Sequence, residues 1–286
     1  MTAFLTHPEL FPARIAGEPW GSGRFVLDLP GGPFVVTGLS AEQEASLGDR
    51  FERGTAHGSE IPVAVFRAAP SDFRAIDTRG WDYALELEGP AVAGMNLMAR
   101  LHEERAAIWT CAGDRAAFWG VVENVLRPFV ARRLLGAGGL LVHSAAIVIE
   151  GRGFLFPGAS GSGKSTLAAM ALAAGYGVLS DDLNAVLAGA LQPLPFAGDL
   201  APDALRRTPA PLHAIVSIEK GAADSVRPMS RAAAVALLVR SASYINRDRD
   251  AGDLLLDRAE ELAGAATTLA LTFRLGGEVW PILTAT

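Results

Sequence analysis

Gly158-Ala159-Ser160-Gly161-Ser162-Gly163-Lys164-Ser165-Thr166 decides how the rest of this chain is read. Its first eight residues satisfy G-x-x-x-x-G-K-[ST], the pattern of a loop that wraps a phosphate. The spacing has a physical reason. Glycines let consecutive backbone N–H groups turn inward around an anion, and a helix starting at the lysine adds the positive end of its dipole. Lys164 would reach the β- and γ-phosphates as a point charge, and the Ser165 hydroxyl would hold Mg2+. A chance glycine-rich turn is the alternative, but the flanks argue against it. Phe154-Leu155-Phe156 reads as a strand running into the loop, and a helix is predicted from about Lys164 to Ala174. The loop from Gly158 to Thr166 is therefore the expected ATP site.

Downstream, Gly175-Tyr176-Gly177 stops the helix and Val178-Leu179 begins another strand. That strand leads to Asp181-Asp182, 16 residues beyond Ser165. One helix, one turn and one short strand return the pair to the carboxyl edge of the sheet, where ligands bind in such folds. One carboxylate could hold Mg2+ and the other could accept a proton from an attacking hydroxyl. Alone, an Asp pair would read equally as a solvated strand end or a helix cap. Upstream, Leu140 to Glu150 is strand-like and Gly151-Arg152-Gly153 a turn. Further on, Leu212 to Glu219 reads as a buried strand. Ser230 caps a helix to about Val239, Asp253 to Ala266 forms another helix, and Leu269 to Leu275 a last strand. Strands alternating with helices predict an α/β domain around a central sheet.

The first 112 residues have a different texture. Short alternating runs, Arg24–Leu29, Phe34–Val36, Ile61–Phe66 and Tyr83–Leu87, lie between Gly- and Pro-rich turns and predict a β-rich accessory region. From Asp114 to Leu135 the apolar residues Phe118, Val121, Val122, Val125, Leu126, Phe129, Val130 and Leu134 recur at helical spacing, with Asp114 as the N-cap. Pro128 should kink or divide this helix. The expected organisation is a substrate-selecting region over 1–112 and a kinase domain over 113–286.

Bulk properties narrow the function. Half of the 286 residues are apolar, a fifth are charged, and the formal net charge is -6. A packed core is expected, and the acidic balance gives no support to nucleic-acid binding. The single cysteine, Cys111, allows no internal disulfide and fits a reducing compartment. The first 23 residues hold no long apolar run, so no signal peptide is expected. The longest apolar candidate, Leu140–Ile149, is about half the ~20 residues that a membrane helix needs. A cytoplasmic protein without membrane contact follows. His7, His57, His102 and His213 show no metal-ligand spacing, and no hydrolase elbow or zinc motif appears. Only two of the 25 basic residues are lysines, Lys164 and Lys220.

His143-Ser144-Ala145, Phe156-Pro157-Gly158 through Thr166, and Leu179-Ser180-Asp181-Asp182 together resemble the HPr kinase/phosphorylase superfamily, which shares its nucleotide site with phosphoenolpyruvate carboxykinases. In that family the Asp pair follows the loop Ser/Thr at this same short distance. The resemblance runs from about Val130 to Leu187 and thins towards Lys220. It implies that Asp181 or Asp182 is the general base and that the other lies near Mg2+. It also implies that His143 stands by the phosphates, where the plainer reading is a strand-edge histidine. The chain departs from the family in lacking the Glu-Ile-Arg-Gly-Leu-Gly stretch that helps hold metal and dock the protein substrate. Pro195-Phe196-Ala197-Gly198-Asp199 stands in that region, with Asp199 as the substitute acidic metal group. HPr itself is therefore not the expected substrate. The nearer resemblance is to HPr-kinase-like peptide serine kinases such as lasso-peptide kinases, and a homo-oligomer is compatible with it.

The expectation is thus an α/β P-loop kinase using ATP and Mg2+ on a hydroxyl, foremost a serine of a peptide or protein. A small-molecule acceptor such as free serine, and a nucleotide-sensing module without transfer, remain the alternatives. Arg206-Arg207 are candidates for extra positive charge at the γ-phosphate. Lys220 reads first as an exposed strand end, with a functional role as the lesser alternative. Tyr244–Asp250 reads as an exposed charged loop.

Overall fold

Capping and alternation explain the first elements. β1 (Gly23–Leu29) and β2 (Gly32–Leu39) form a hairpin in which buried Phe25 faces Val36 and Leu27 faces Phe34. Ser40 then opens α1 (Ala41–Arg50): its Oγ accepts from Gln43 N at 3.2 Å, and the Gln43 side chain accepts from Ser40 N at 3.1 Å. This helix carries the chain to β3 (Ile61–Arg67), parallel to β2. β4 (Glu86–Glu88), β5 (Ala91–Gly94), β6 (Leu97–His102) and β7 (Arg105–Thr110) follow as an antiparallel meander, and β7 lies parallel beside β3. The sheet order is β1-β2-β3-β7-β6-β5-β4. The structure is a computed structural model and describes residues 17–55, 58–72, 86–88, 91–94, 96–246, 248 and 250–285. Positions 83–85 of the strand expected at Tyr83–Leu87 lie outside the described residues, as do His7 and His57.

α2 (Phe118–Gly136) is entered through a turn in which Asp114 Oδ1 accepts from Ala116 N and Ala117 N at 3.1 and 2.9 Å. Pro128 lies inside this helix without dividing it. A proline there costs about 3 kcal/mol. Burying each of Phe118, Val122, Val125, Leu126, Phe129 and Val130, all fully enclosed, returns roughly 1.5–3 kcal/mol. The helix therefore holds. Phe129 meets Phe34 edge-on at 5.3 Å between centroids, and Glu123 is buried between Arg50 and Arg127 at 3.1 and 2.6 Å. The chain divides into two compact units between Arg133 and Leu134, so most of α2 packs with the first sheet.

The second unit begins with β8 (Leu140–Ile149) and β9 (Arg152–Pro157), an antiparallel hairpin turning at Glu150 and Gly151. The turn is tighter than the expected Gly151–Gly153, because Arg152 and Gly153 already pair with Ile149 and Val148. α3 (Lys164–Ala173), β10 (Gly177–Ser180), β11 (Leu183–Leu187), β12 (Ala190–Gln192), β13 (Ala210–Lys220), β14 (Ser225–Pro228), α4 (Arg231–Ser241), α5 (Gly252–Ala265), β15 (Thr267–Phe273) and α6 (Trp280–Thr284) follow. The sheet runs β10-β8-β11-β12-β13-β15-β14, and β9 pairs with both β8 and β13.

β10 and β11 run one after the other along the same flank of β8, interrupted at Asp181-Asp182. β10 and β9 are each antiparallel to β8, so they point the same way, and β13 and β15 are parallel to β9. Four strands thus end at one edge. Ala145, Ile147 and Ile149 of β8 join a core with Phe154, Phe156, Leu167, Ala171, Phe273 and Trp280, while Ala146 and Val148 are buried as well. β8 is therefore covered on both faces, which is why it reads as a continuous apolar run. The whole is a mixed α/β protein with two sheets. Among the described residues no helix is long and apolar enough to cross a membrane.

Candidate active site

The glycine-rich loop leaves β9 at Pro157 and enters α3 at Lys164. Gly158 N donates to His143 O at 3.2 Å and pins the loop's start to β8. Gly163 begins the helix at φ 107°, in the left-handed region that favours glycine. No side chain caps it there, which leaves the N–H groups of the first turn for another acceptor. Lys164 is buried, and its Nζ donates to Gly158 O and Ala159 O, each at 2.9 Å. Burial pushes its pKa below the ordinary lysine value, and the nearby carboxylates of Asp182, Asp181 and Asp199 oppose that shift.

Those carboxylates come from the break between β10 and β11. Asp182 O accepts from Ser144 N at 2.9 Å, and Ser180 Oγ accepts from Asp182 N at 3.1 Å, so backbone bonds set the pair's position. Asp181 is 3 % exposed. Its Oδ1 accepts from Leu200 N at 3.4 Å, and the backbone of Gly198 approaches so closely that a Cβ there would sit 2.5 Å from the same oxygen. Its Oδ2 is buried and has no hydrogen-bond partner among the described residues. A buried carboxylate oxygen left without a donor is costly, and a bound cation would remove the cost. Asp199 is exposed, and its Oδ2 accepts from Ser165 Oγ at 2.9 Å.

Asp182 is more open, with a side chain 32 % exposed and Oδ1 3.4 Å from His143 Nε2. A carboxylate at that distance favours a protonated ring. Burial and the positive charge of Lys164 outweigh it, and the His143 pKa falls from 6.5 to about 4. The imidazole is therefore neutral at neutral pH, and its contact with Asp182 is no ion pair.

Six expected residues, His143, Lys164, Ser165, Asp181, Asp182 and Asp199, thus gather around one loop, whose Ala159, Ser160, Gly161 and Thr166 face solvent. Lys220 joins them: it ends β13, and its Nζ donates to Gly161 O at 3.1 Å. Arg206 and Arg207 are placed elsewhere. Arg206 packs beside Gly177, the far end of β10 from Ser180, roughly 10 Å away at strand rise. Arg206 Nε donates to Thr208 O and Arg207 donates to Pro202 O. Of the loop Tyr244–Asp250, Arg247 and Arg249 lie outside the described residues. One supporting residue escapes a reading by motifs. Asn184, 1 % exposed, donates from Nδ2 to Ser144 O at 2.7 Å, Ser144 Oγ at 3.1 Å and Ser180 O at 3.4 Å, stapling the Asp junction to β8. Its signal is a lone amide inside the apolar run Leu183–Leu187. Among the described residues no group of three or more His, Cys, Asp or Glu forms a metal cage.

Fold and site together define a mixed α/β protein whose second unit carries a glycine-rich loop between strand and helix, with aspartates and lysines converging on it. The chain belongs to the family described as SynChlorMet cassette protein ScmC, whose model matches residues 113–263, just over half of the chain. The matched stretch runs from the turn before α2 into α5 and includes every residue of the site. No curated protein matches the chain.

Proposed function

We propose that this protein is an ATP- and Mg2+-dependent kinase that transfers the γ-phosphoryl group to a serine hydroxyl of a peptide or protein. The observation that carries the reading is the convergence of Lys164 and the Asp181-Asp182 pair on one glycine-rich loop that opens a helix. The residues suit both ligands. Uncapped N–H groups at the start of α3 and the Lys164 ammonium suit a polyphosphate. Ser165 Oγ, the partnerless Asp181 Oδ2 and the Asp199 carboxylate are hard oxygen donors, and Mg2+ is commonly held by one or two carboxylates plus phosphate oxygens and water. That requirement is met without a cage of protein ligands alone. Mg2+ would neutralise charge developing on the β- and γ-phosphate oxygens.

The chain's own residues account for the rest. The two aspartates divide the work by exposure. Asp181, enclosed and fixed by Leu200 N, is the metal-side carboxylate, and Asp182, open to an incoming group, is the base. The acceptor oxygen attacks the γ-phosphorus and gives its proton to Asp182. The bond from that phosphorus to the β–γ bridging oxygen breaks, and ADP leaves. Neutral His143 lies 3.4 Å from Asp182, and Lys164 with the loop amides stabilises the transferred charge. A serine acceptor is supported by the resemblance of the stretch from about Val130 to Leu187 to HPr-kinase-like peptide serine kinases, and the missing docking stretch argues against HPr itself. The single cysteine supports a cytoplasmic setting for this reaction.

The test is transfer from γ-labelled ATP with Mg2+, offered in parallel to serine-containing peptides encoded beside this protein's gene and to free serine. Label on a peptide serine is expected. Label on free serine alone would replace the acceptor class, and absence of label on every hydroxyl despite tight ATP binding would overturn the kinase reading.

A further inference from the structure

The chain holds two lysines among 286 residues, and both place their ammonium groups on the same loop. Lys164 binds the carbonyls at its start, Gly158 and Ala159, at 2.9 Å. Lys220, 56 positions later, binds Gly161 O near its tip at 3.1 Å. The second contact needs a particular fold. β13 lies parallel to β9 and extends past it, so its last residue projects beyond Pro157 to the level of the loop. The Lys220 stem runs along Gly163, where an added Cβ would lie 3.6 Å from Lys220 Cε and 3.1 Å from Phe273 Cζ. The glycine is required by the helix start and by Phe273, and Lys220 passes it in ordinary van der Waals contact.

Charge gives the contact a purpose. Lys164 already faces Asp181, Asp182 and Asp199, so carboxylates outnumber the cation at the loop before any phosphate arrives. The arginines that could have added charge, Arg206 and Arg207, are turned to Thr208 and Pro202. Lys220 is exposed, is hydrogen-bonded among the described residues only to a neutral carbonyl, and lies within a side chain's rotation of the open end of α3. A carbonyl offers an ammonium only a dipole, whereas a phosphate oxygen offers the opposite full charge and adds Coulomb attraction to the hydrogen bond.

We propose that Lys220 is a second phosphate-binding lysine, which leaves Gly161 O for a phosphate oxygen when a nucleoside polyphosphate occupies the loop. This rests on the nucleotide-site reading above and adds a residue to it. A charge-assisted contact of this kind is worth a ten- to hundredfold change in affinity, roughly. Calorimetry on the full chain should therefore show ATP binding weakened about tenfold or more by Lys220→Ala and largely restored in Lys220→Arg. Because only two ε-amines exist, acetylation with a succinimide ester followed by peptide mass spectrometry gives an independent readout. Lys220 should be modified in the free protein and protected by ATP or by inorganic tripolyphosphate. Unchanged affinity in Lys220→Ala, or full modification of Lys220 at saturating ATP, would overturn the proposal while leaving the kinase reading intact. Failure of the unmodified chain to bind ATP would overturn both.

Discussion

In the proposed kinase Lys164 serves binding and Asp182 chemistry, and single substitutions should separate the two. Lys164→Ala removes the buried ammonium that spans Gly158 O and Ala159 O and leaves three carboxylates facing the phosphate site. ATP binding, measured by calorimetry, should be lost. Asp182→Asn keeps the shape and the backbone bonds from Ser144 and Ser180 but cannot take a proton. Binding should persist while transfer falls by ~10²–10⁴. Asn184→Ala removes the amide that ties the Asp junction to β8. It should cost about 1–3 kcal/mol in urea unfolding and reduce transfer, although Asn184 touches neither ligand. At this scale the sequence was most legible where the chemistry is local. The loop and the Asp pair are short motifs whose spacing already encodes geometry. Lys220 was read as the exposed strand end it is, but its contact with the loop and the role of Asn184 were not legible, because they depend on how far β13 extends past β9 and on which residues of β8 face β11.

At the scale of elements, β9, the loop, α3 and β10 form one device: a strand ends, its loop opens a helix, and the next parallel strand delivers the carboxylates to the same edge. Gly163 is where the device turns. Gly163→Ala would force a side chain to a φ of 107° and to 3.1 Å from Phe273 Cζ. It should lower ATP affinity more than any other glycine substitution in the loop, as a scan by calorimetry would show. Helices with a clear apolar period, α2, α4 and α5, could be read from the sequence, and Ser230 does cap α4 by accepting from Ala233 N at 3.2 Å. β11, β12 and β14 could not. β12 and β14 have three and four residues, too few for a period to show. β11 follows so closely on β10 that the Asp pair read as a strand's end when it is an interruption along β8. Pro128 shows the converse, a breaker overruled by the burial of the face on which it sits.

For the molecule as a whole, burying the site has a cost that pH reveals. His143 is neutral in the folded chain with a pKa of about 4, against an ordinary value of 6.5. Between those values the unfolded chain takes up a proton that the folded chain refuses, so stability falls as pH drops from 6.5 to 4 and is flat above that window. The full shift corresponds to about 3 kcal/mol, and a ring 29 % exposed should realise roughly half of it. Urea unfolding between pH 7.5 and 4.5 should show this slope, and His143→Gln should flatten it. An unchanged slope in the variant would mean that other groups carry the acid sensitivity.

The central claim is that Asp182 and Lys164 form one phosphoryl-transfer site around Gly158–Thr166. A single-turnover experiment with enzyme in excess over γ-labelled ATP, Mg2+ and a serine peptide acceptor tests it most directly, run side by side on the unmodified chain and Asp182→Asn. The account predicts labelled phosphoserine from the unmodified chain, and bound but untransferred ATP in the variant. Equal label from both proteins, or none from the unmodified chain with any serine acceptor, would contradict it.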